Sequence, residues 1–212
     1  MNHLHIPFIK KIFTSADAID LPLWIGGGWA IDARLGRITR EHEDIDLTFP
    51  ADRQAEFENL ILQMGGQITE QTDYGFLASA QGLLLDCEPA YFTDSAYEIE
   101  DAPPGSCPMP KEGVIDQLPI RCNSWAAILW DYFYYEDEVP RKQWPEKHKF
   151  SHALVCEAFG DKNVSSLRKH FDTRQWIFRL AVDFALPRST IKVGTTFKEI
   201  AMSNSTGTVK LH

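Results

Sequence analysis

Acidic residues stand at alternate positions in two apolar runs of this 212-residue chain. Asp44 and Asp46 open the run DIDLTFP, and Asp86 and Glu88 lie within LLLDCEPA. Successive side chains of a strand point to opposite faces, so each pair should project from one face of a sheet. Two carboxylates ~4 Å apart repel by on the order of 4 kcal/mol at an effective dielectric near 20. A bound cation between Asp44 and Asp46 would remove this cost; the alternative is a solvated edge strand.

A glycine turn precedes the first acidic pair. Gly27 and Gly28 end the apolar segment LWIGGG, and residues 29–35 follow with a short helical pattern. Backbone N–H groups at a helix start can bind phosphate, and carboxylates beside a phosphate cradle are typical of a magnesium-nucleotide site. The same glycines could simply form a turn. Arg40 and His42, between the turn and the acidic pair, could bind phosphate or cap the loop.

Further candidates lie near an aromatic-rich helix, WDYFYYEDE, at residues 130–138. Asp131 stands in an otherwise apolar stretch, where an unpaired carboxylate would be costly, so we expect it to contact a substrate ammonium group. Some of the rings must belong to the core. Tyr134 and Tyr135 are nevertheless candidates for a substrate cleft, together with Tyr74 from a loop before a strand and with Glu88.

A lysine near a predicted helix start is the last candidate. Lys147 follows Pro145, and positive charge there opposes the helix dipole, which favours an anionic partner from outside the helix. We therefore expect Lys147 to contact a triphosphate. The adjacent His148 is more simply interpreted as an ordinary surface histidine.

The bulk composition limits the class of protein. The formal net charge of −9 argues against a nucleic-acid binder and suits a polycationic ligand, although solubility alone explains most acidic proteins. The N-terminus lacks the apolar core of a signal peptide, and no apolar run is long enough to span a bilayer. The four cysteines show no metal-binding spacing, and Cys87 and Cys156 are expected to be buried thiols. These features predict a reduced, cytoplasmic protein, which we expect to be monomeric.

The order of the predicted elements indicates an α+β fold with a mixed sheet and helices packed on it. Helices are expected at residues 8–18, 29–35, 52–64, 125–135, 145–159 and 164–186, and strands at residues 21–25, 44–49, 76–80 and 83–87. Ser124 is the predicted N-cap of the helix that follows it. The expected organisation is an α/β domain at residues 1–101, a linker at 102–119, a helical domain at 120–186 and a flexible tail at 187–212.

Several motifs resemble those of one enzyme family, and the resemblance extends over residues 9–174. A Gly-Gly turn, a helix and Asp-x-Asp on a strand look like the nucleotidyltransferase superfamily that includes DNA polymerase β. The longer strings are similar to the aminoglycoside 2''-O-nucleotidyltransferases: GGGWAIDARLG, HEDIDLTFP, DYGFLA, LLDCEPA, GSCP, RCNSW, WDYFYYEDEVP and WPEKH. Two features depart from the pattern: Trp29 follows the glycines where many superfamily members have serine in the turn, and the chain continues past the family's end.

The resemblance implies transfer of AMP from ATP to a hydroxyl group of an aminoglycoside antibiotic, which confers resistance. It implies an N-terminal nucleotidyltransferase domain and a C-terminal helical domain that closes over the cleft. Two Mg²⁺ ions would be held by Asp44, Asp46 and Asp86, with Asp86 also acting as general base. The nucleotide would bind Gly27, Gly28, Arg40, His42 and Lys147, and the acceptor Tyr74, Glu88, Asp131, Tyr134 and Tyr135. The alternatives are another acceptor such as a lincosamide, or a non-catalytic antitoxin of the same fold.

Overall fold

The computed structural model describes residues 1–183, with side chains as far as Trp176. The predicted tail at residues 187–212 and the end of the last predicted helix lie outside the described residues. The chain divides into two compact units, residues 1–159 and residues 160–212. In the second unit the structure describes one helix, α6 (Asp161–Asp183). The first unit contains the sheet and the remaining elements.

Five helices and eight strands are described in the first unit. The helices are α1 (Asn2–Asp17), α2 (Gly27–Leu35), α3 (Gln54–Gln63), α4 (Trp125–Glu138) and α5 (Glu146–Phe159). The strands are β1 (Trp24–Ile25), β2 (Ile45–Pro50), β3 (Gly66–Gln71), β4 (Phe76–Ala80), β5 (Leu83–Thr93), β6 (Ala96–Ile99), β7 (Gly113–Ile115) and β8 (Leu118–Ile120). Two short 3₁₀ turns, Ala51–Arg53 and Arg141–Gln143, precede α3 and α5.

The predicted mixed sheet is confirmed. Its order is β1-β2-β5-β4-β3, with β6 paired to the far end of β5. Strands β2 and β5 are parallel neighbours, whereas the other pairs in this sheet are antiparallel. The parallel pair at the centre of the sheet therefore carries both acidic motifs.

Apolar residues alternate along β2 because one face of the sheet is the core. Ile45, Leu47 and Phe49 are buried, and the Phe49 ring stacks on Phe57 of α3 with 4.7 Å between centroids. In α1, the apolar residues at helical spacing are buried in the same way. The intervening β2 side chains, Asp46 and Thr48, consequently face the opposite side of the sheet.

Local signals placed several element boundaries correctly. Ser124 is the N-cap of α4, and its side chain accepts a hydrogen bond from the Ala127 amide. Gly36 ends α2 in a left-handed conformation with φ of 65°, as a C-terminal glycine is expected to do. Gly160 follows α5 with φ of 84°, the left-handed conformation in which glycine commonly ends a helix.

The segment predicted as a linker is more ordered than expected. Strands β7 and β8 form a hairpin there, and its two turn residues, Asp116 and Gln117, both have positive φ. Such a turn is usually signalled by glycine or asparagine, and this sequence has neither at those positions. The chain then joins β1 through a bridge between Ile25 and Cys122. Helices α4 and α5 lie in the same compact unit as the sheet.

All four cysteines are free thiols. Cys87 is buried as expected, whereas Cys156 is only partly buried because it lies on the half-exposed side of α5. Within the described part of the chain, no helix combines the length and apolar character needed to cross a membrane.

Candidate active site

The register of the two central strands brings the acidic motifs together. Asp46 of β2 is the direct partner of Asp86 on β5, and Thr48 is the partner of Glu88. Because the strands are parallel and in register, all four side chains project from the face opposite the buried residues Ile45 and Leu85. The two acidic motifs, forty residues apart in the sequence, therefore form one cluster.

An acidic cavity of about 180 Å³ opens above this face. The cavity is lined by the carboxyl groups of Asp46, Asp86 and Glu88 from the strands and of Asp131 from α4. The Tyr74 hydroxyl group donates a hydrogen bond of 3.0 Å to Asp86 Oδ2. The remaining lining residues are Gly26, Gly27, Leu47, Thr48, Ile99, Asn123, Ala127 and Ile128. The predicted substrate residues Tyr74, Glu88 and Asp131 are thus assembled in one cavity.

The carboxyl groups of this acidic cavity resist ionisation. Burial, together with the charges of Asp44, Asp86 and Asp131, raises the pKa of Asp46 to about 8. Burial and the charges of Asp131, Asp86 and Asp46 raise the pKa of Glu88 to about 8. Burial also raises the pKa of Asp86, although the Tyr74 hydrogen bond opposes that shift. A positively charged ligand would favour the ionised forms of all these groups.

Asp131 reaches the cavity from α4. Its side chain is accessible from the cleft, but the protein atoms around it displace most of the water, and this desolvation raises the pKa of Asp131 to about 7. The charge of Asp131 in turn contributes to the raised pKa values of Asp46 and Glu88. Asp131 thus lines both cavities, and its contact with a substrate ammonium group stays a prediction.

The glycine turn lies directly against the metal-ligand candidates. Gly27 is the first residue of α2 and has φ of 48°, a conformation that L side chains rarely adopt. A Cβ atom at Gly27 would overlap the carboxylate of Asp46, and the Gly26 amide donates a hydrogen bond of 2.9 Å to the Asp46 carbonyl oxygen. Glycine is therefore required here so that the start of α2 can approach β2.

A second cavity, of about 330 Å³, lies on the other side of Asp46 and contains the cationic candidates. We call it the basic cavity after Arg40 and Lys147 in its lining, which also contains the four carboxyl groups of Glu43, Asp44, Asp46 and Asp131. Gly28, Asp44, Tyr135 and His148 also line it, with Glu43 and Tyr132. The acidic and basic cavities share Gly27, Asp46, Ile128 and Asp131.

The two cations of the basic cavity differ in how they are held. Arg40 Nε donates a hydrogen bond of 3.0 Å to Ser151 Oγ, and Arg40 Nη1 donates one of 2.8 Å to the Glu41 carbonyl oxygen. These two bonds leave Nη2 beside Gly28. Lys147 Nζ instead forms an exposed ion pair with Glu43 Oε2 at 2.6 Å, which an incoming anion would have to replace.

His42 lies beneath the turn, outside the basic cavity. It is almost fully buried, and its Nε2 is 2.7 Å from Asp32 Oδ2. Its ring packs on Trp29, and a Cβ atom at Gly28 would be only 2.7 Å from His42 Nδ1. The buried Asp32 carboxylate holds the His42 ring against Gly28, and the phosphate contact of His42 stays a prediction.

Tyr134 is also separated from both cavities. It packs edge-on against Trp130, with 6.4 Å between ring centroids, and belongs to the lining of neither cavity. Tyr132, which sequence analysis did not select, is in the lining of the basic cavity with Tyr135. Residues three apart share a helix face, so this spacing was a usable signal.

Asn123 is another lining residue that sequence analysis did not identify. It is buried, and its Oδ1 accepts a hydrogen bond of 3.1 Å from Thr48 Oγ1. A Cβ atom at Gly26 would be 2.9 Å from the same Oδ1. Asn123 precedes the helix cap, and no pattern in the sequence connects it with β2. Its position became evident only from the tertiary structure.

The donor set of Asp44, Asp46 and Asp86 suits a hard divalent cation. Three carboxylates supply the oxygen ligands that Mg²⁺ prefers, and the raised pKa values of Asp46 and Asp86 indicate an excess of negative charge. Among the described residues, no three His, Cys, Asp or Glu side chains are close enough together to coordinate one metal ion as they stand. Asp44, Asp46 and Asp86 therefore fit a cation by their chemistry, and their side chains would have to move closer together to bind it.

A mixed sheet with carboxylates on adjacent parallel strands and a glycine turn over them defines a nucleotidyltransferase. Residues 8–151 match the family described as aminoglycoside-2''-adenylyltransferase. The chain belongs to this family of antibiotic-resistance enzymes. The identification expected from the sequence motifs, including the enzymatic activity, is thereby confirmed.

Individual relatives agree with this assignment. The chain is 56% identical over 174 residues to 2''-aminoglycoside nucleotidyltransferases from Klebsiella pneumoniae and Escherichia coli, which covers 82% of this chain and 98% of each relative. A crystal structure of ANT(2'')-Ia in complex with adenylyl-2''-tobramycin matches with a TM-score of 0.80 and 56% identity, over 81% of this chain and 99% of that one. A solution structure of ANT(2'')-Ia gives a TM-score of 0.83 at 54% identity, over 86% and 99%.

A more distant structural match shows the fold alone. The lincomycin-bound lincosamide adenylyltransferase LnuA has a TM-score of 0.54 at 18% identity, and the match covers 69% of this chain and 93% of that one. The α+β nucleotidyltransferase fold is thus shared with an enzyme that acts on another class of antibiotic.

Proposed function

We propose that this protein transfers AMP from ATP to the 2''-hydroxyl group of an aminoglycoside, with the acceptor in the acidic cavity and the nucleotide in the basic cavity. The observation that carries this assignment is the contact, at Asp46 and Gly27, between a cavity whose charged lining residues are all carboxylates and a cavity that also contains Arg40 and Lys147. A polycationic acceptor would enter the first cavity, the phosphates of the donor would bind the two cations of the second, and the reacting groups would meet at the carboxylates.

The acceptor side is built for ammonium groups. Glu88 and Asp131 face the acidic cavity with pKa values raised to about 8 and about 7, so a bound amine would recover the free energy lost in ionising them there. Tyr74 provides an amphipathic ring at the same wall, suited to the hydroxyl-rich face of a sugar. A ligand with a single amine could pair with only one of these two carboxylates.

The donor side is built for phosphate groups. The start of α2 at Gly27 and Gly28 presents backbone N–H groups, and no serine hydroxyl is available in this turn. Arg40 is oriented beside Gly28 by Ser151, and Lys147 can exchange Glu43 for a phosphate. These groups would bind the triphosphate, while His42 supports the turn from below.

The proposed reaction forms a bond between the acceptor oxygen and the α-phosphorus and breaks the bond to pyrophosphate. Asp86 accepts the proton of the attacking hydroxyl group, and Tyr74 orients the Asp86 carboxylate through its hydrogen bond. Asp44, Asp46 and Asp86 would hold two Mg²⁺ ions, which supply positive charge that acidifies the hydroxyl group and stabilises the leaving pyrophosphate.

Both cavities are lined by residues of a single chain, so we expect the enzyme to act as a monomer. We also expect it to act in the cytoplasm, where ATP is available and where its cysteines would remain as free thiols.

A transfer assay with two antibiotics tests the proposed function. The purified protein is incubated with MgATP and either tobramycin or lincomycin, and pyrophosphate release and the mass of the antibiotic are followed. We expect adenylylated tobramycin, with AMP located at the 2'' position by NMR, and unmodified lincomycin. Modification of lincomycin instead, or nucleotide binding without any transfer, would contradict the proposal and favour one of the two alternatives.

A further inference from the structure

Two buried residues of α2 hold the segment that joins this helix to β2. The segment, residues 37–44, contains neither helix nor strand, yet it carries Arg40 of the basic cavity and the metal-ligand candidate Asp44. We propose that Asp32 and Trp29 are positioning residues for the transfer reaction. They fix where those two functional groups stand, an assignment that rests on the proposed function.

The backbone of residues 37–44 has no ladder or helix to satisfy its hydrogen bonds. The Thr39 amide donates a bond of 3.1 Å to Asp32 Oδ1, and the Thr39 hydroxyl group donates to the same oxygen. The Asp44 carbonyl oxygen accepts a bond of 3.2 Å from Trp29 Nε1. A buried backbone group without a partner costs free energy, so the side chains that supply these partners also select the path of the segment.

The second oxygen of Asp32 holds the same segment three residues further on. Asp32 Oδ2 is 2.7 Å from His42 Nε2, and both side chains are buried. The His42 ring in turn packs on Trp29, with 4.3 Å between ring centroids. One carboxylate thus binds both Thr39 and His42, and an ionised acceptor makes such bonds stronger than a neutral one does. Arg40 lies between these two points, so its side chain leaves the segment from a fixed position.

Asp44 needs a support of this kind more than the other metal-ligand candidates do. Asp46 and Asp86 are paired within β2 and β5, whereas Asp44 comes just before β2 begins. Trp29 has no exposed surface, so water does not compete for its N–H group. The same N–H is shared with His5 Nδ1 at 3.3 Å, which connects it to α1 as well. The indole of Trp29 therefore fixes the backbone from which the Asp44 carboxylate projects.

A tryptophan variant tests the support of Asp44. Trp29→Phe keeps an aromatic ring beside His42 but removes the indole N–H. We expect its dissociation constant for Mn²⁺, an EPR-visible substitute for Mg²⁺, to rise about tenfold, the effect of ~1.4 kcal/mol and the scale of one buried hydrogen bond. Its kcat should fall by at least a similar factor. Its dissociation constant for tobramycin should change less than twofold, because Asp44 is outside the lining of the acidic cavity.

Trp24→Phe is the matched control. Trp24 is also fully buried, its Nε1 donates a hydrogen bond of 2.7 Å to the Pro108 carbonyl oxygen, and it lines neither cavity. Both variants lose the same ring volume and the same kind of bond, so their melting temperatures should fall alike. Only Trp29→Phe should bind Mn²⁺ more weakly. Wild-type Mn²⁺ affinity in both variants would overturn the role of Trp29.

Calorimetry with MgATP and tobramycin tests Asp32. Asp32→Leu removes both acceptor oxygens at similar size, and we expect MgATP to bind at least ~10-fold more weakly, the scale of a lost charged hydrogen bond. Tobramycin should bind within twofold of the wild type, because Arg40 lines only the basic cavity. Asp32→Asn should restore most of the MgATP affinity, since its oxygen still accepts from Thr39 and its amide group can donate to His42 Nε2.

Thr39→Val removes one bond to Asp32 at constant shape and keeps the test available if Asp32→Leu does not fold. It should weaken MgATP binding by a smaller factor than Asp32→Leu and leave tobramycin binding unchanged. Equal losses for MgATP and tobramycin, or wild-type MgATP affinity in Thr39→Val and Asp32→Leu, would overturn the role of Asp32. Because Mn²⁺, MgATP and tobramycin affinities are measured directly, failure of this assignment is distinguishable from failure of the proposed transfer reaction.

Discussion

At the scale of single residues, the active site is dominated by carboxyl groups that disfavour each other's ionisation. Asp46 is the centre of this group: it pairs with Asp86 across the strands, lies against Gly27 and borders both cavities. Its pKa of about 8 lies above the 3.8 of the unfolded chain. Ionisation of Asp46 therefore lowers the free energy of unfolding as the pH rises from about 4 to about 8.

Asp46→Asn should accordingly abolish transfer while stabilising the metal-free fold. At pH 8.5 in chelator, we expect its melting temperature to rise by ~2–4 °C, the shift for ~1 kcal/mol in a chain of this size. The gain should shrink as the pH falls, because the wild-type carboxyl group is then protonated. Asp94→Asn, in the exposed β5–β6 turn, is the matched control and should change neither property. Near-normal transfer by Asp46→Asn would refute the metal-ligand role.

The assignment of Asp86 as the base makes a different prediction. Asp86→Asn should keep measurable nucleotide binding but lower kcat by at least ~100-fold, the scale of a positioned general base. Tyr74→Phe removes only the 3.0 Å hydrogen bond to Asp86, so we expect a smaller loss in kcat. Steady-state kinetics and calorimetry on both variants check this order. If nucleotide affinity and kcat fell in parallel for Asp86→Asn, Asp86 would be a ligand only.

At the scale of elements, the start of α2 and strand β2 form a unit in which backbone shape matters more than side-chain chemistry. Gly27 and Gly36 lie at the two ends of α2, and both have positive φ. A Cβ atom at Gly27 would overlap the Asp46 carboxylate, whereas a Cβ atom at Gly36 would meet no atom within 4 Å. The two positions therefore separate backbone strain from the effect on the site.

Gly36→Ala should cost ~1–2 kcal/mol of stability from the left-handed conformation alone and leave kcat unchanged. Gly27→Ala should cost at least as much and should also displace Asp46, so we expect transfer to fall by more than ~100-fold, at least the loss expected for a misplaced reacting group. Thermal melting and kcat for the two variants provide the comparison. Equal activity of the two variants would mean that the close approach of α2 to β2 is unimportant.

An ion-pair group connects the end of α1 with the segments around the β7–β8 hairpin. Asp17 accepts hydrogen bonds from Lys111 at 2.6 Å and from Arg121 at 3.0 Å. Partial burial opposes ionisation of Asp17, but these two cations outweigh it and lower the pKa of this carboxyl group. The contribution to stability is thus present above the unfolded pKa of about 4 and is lost as the pH falls below it.

Asp17→Asn should therefore destabilise the protein at pH 7 by no more than ~1 kcal/mol, because the pairs are partly exposed and screened by solvent. The difference from the wild type should vanish near pH 3, where the wild-type carboxyl group also approaches neutrality. Urea unfolding at the two pH values tests the sign. A penalty that persists at pH 3 would indicate a packing role for Asp17 instead of an electrostatic one.

At the scale of the whole molecule, the net charge of −9 and the acidic cavity act in the same direction on a cationic acceptor. The potential of the protein would attract the polycation, and in the proposed function the carboxylates of Glu88 and Asp131 bind it. Added salt screens such attraction beyond ~10 Å at 0.1 M. ATP is an anion and would instead be attracted by Arg40 and Lys147, which line only the basic cavity.

The KM for tobramycin should therefore rise steeply with NaCl between low and high ionic strength. Asp131→Asn should raise this KM at least ~10-fold, the effect of ~1.4 kcal/mol, and should change the KM for ATP far less. Asp137→Asn is the control, because Asp137 is exposed on the same helix and lines neither cavity, so this variant should leave both KM values unchanged. A tobramycin KM that does not respond to salt would contradict electrostatic recognition.

The sequence by itself determined the chemistry and the local structure of this protein. Alternation placed Asp46 on the strand face opposite Ile45 and Leu47, although Asp44 lies just before β2 begins. Ser124 and Gly36 marked helix ends, because these signals depend on neighbouring residues only. The longer motifs, such as GGGWAIDARLG, also indicated the family. Pairing of Asp46 with Asp86 was expected only from the resemblance, since strand register is a long-range property.

Only the tertiary structure decided which cavity each candidate residue lines. His42 lies beneath Gly28 because Asp32 binds its ring, and Tyr135 lies in the basic cavity because α5 packs beside α4. Asn123 reaches β2 through contacts that no short sequence pattern encodes. Local periodicity specifies the face of a helix or strand, whereas the partner of that face depends on packing between distant segments, and this packing separated the acidic cavity from the basic one.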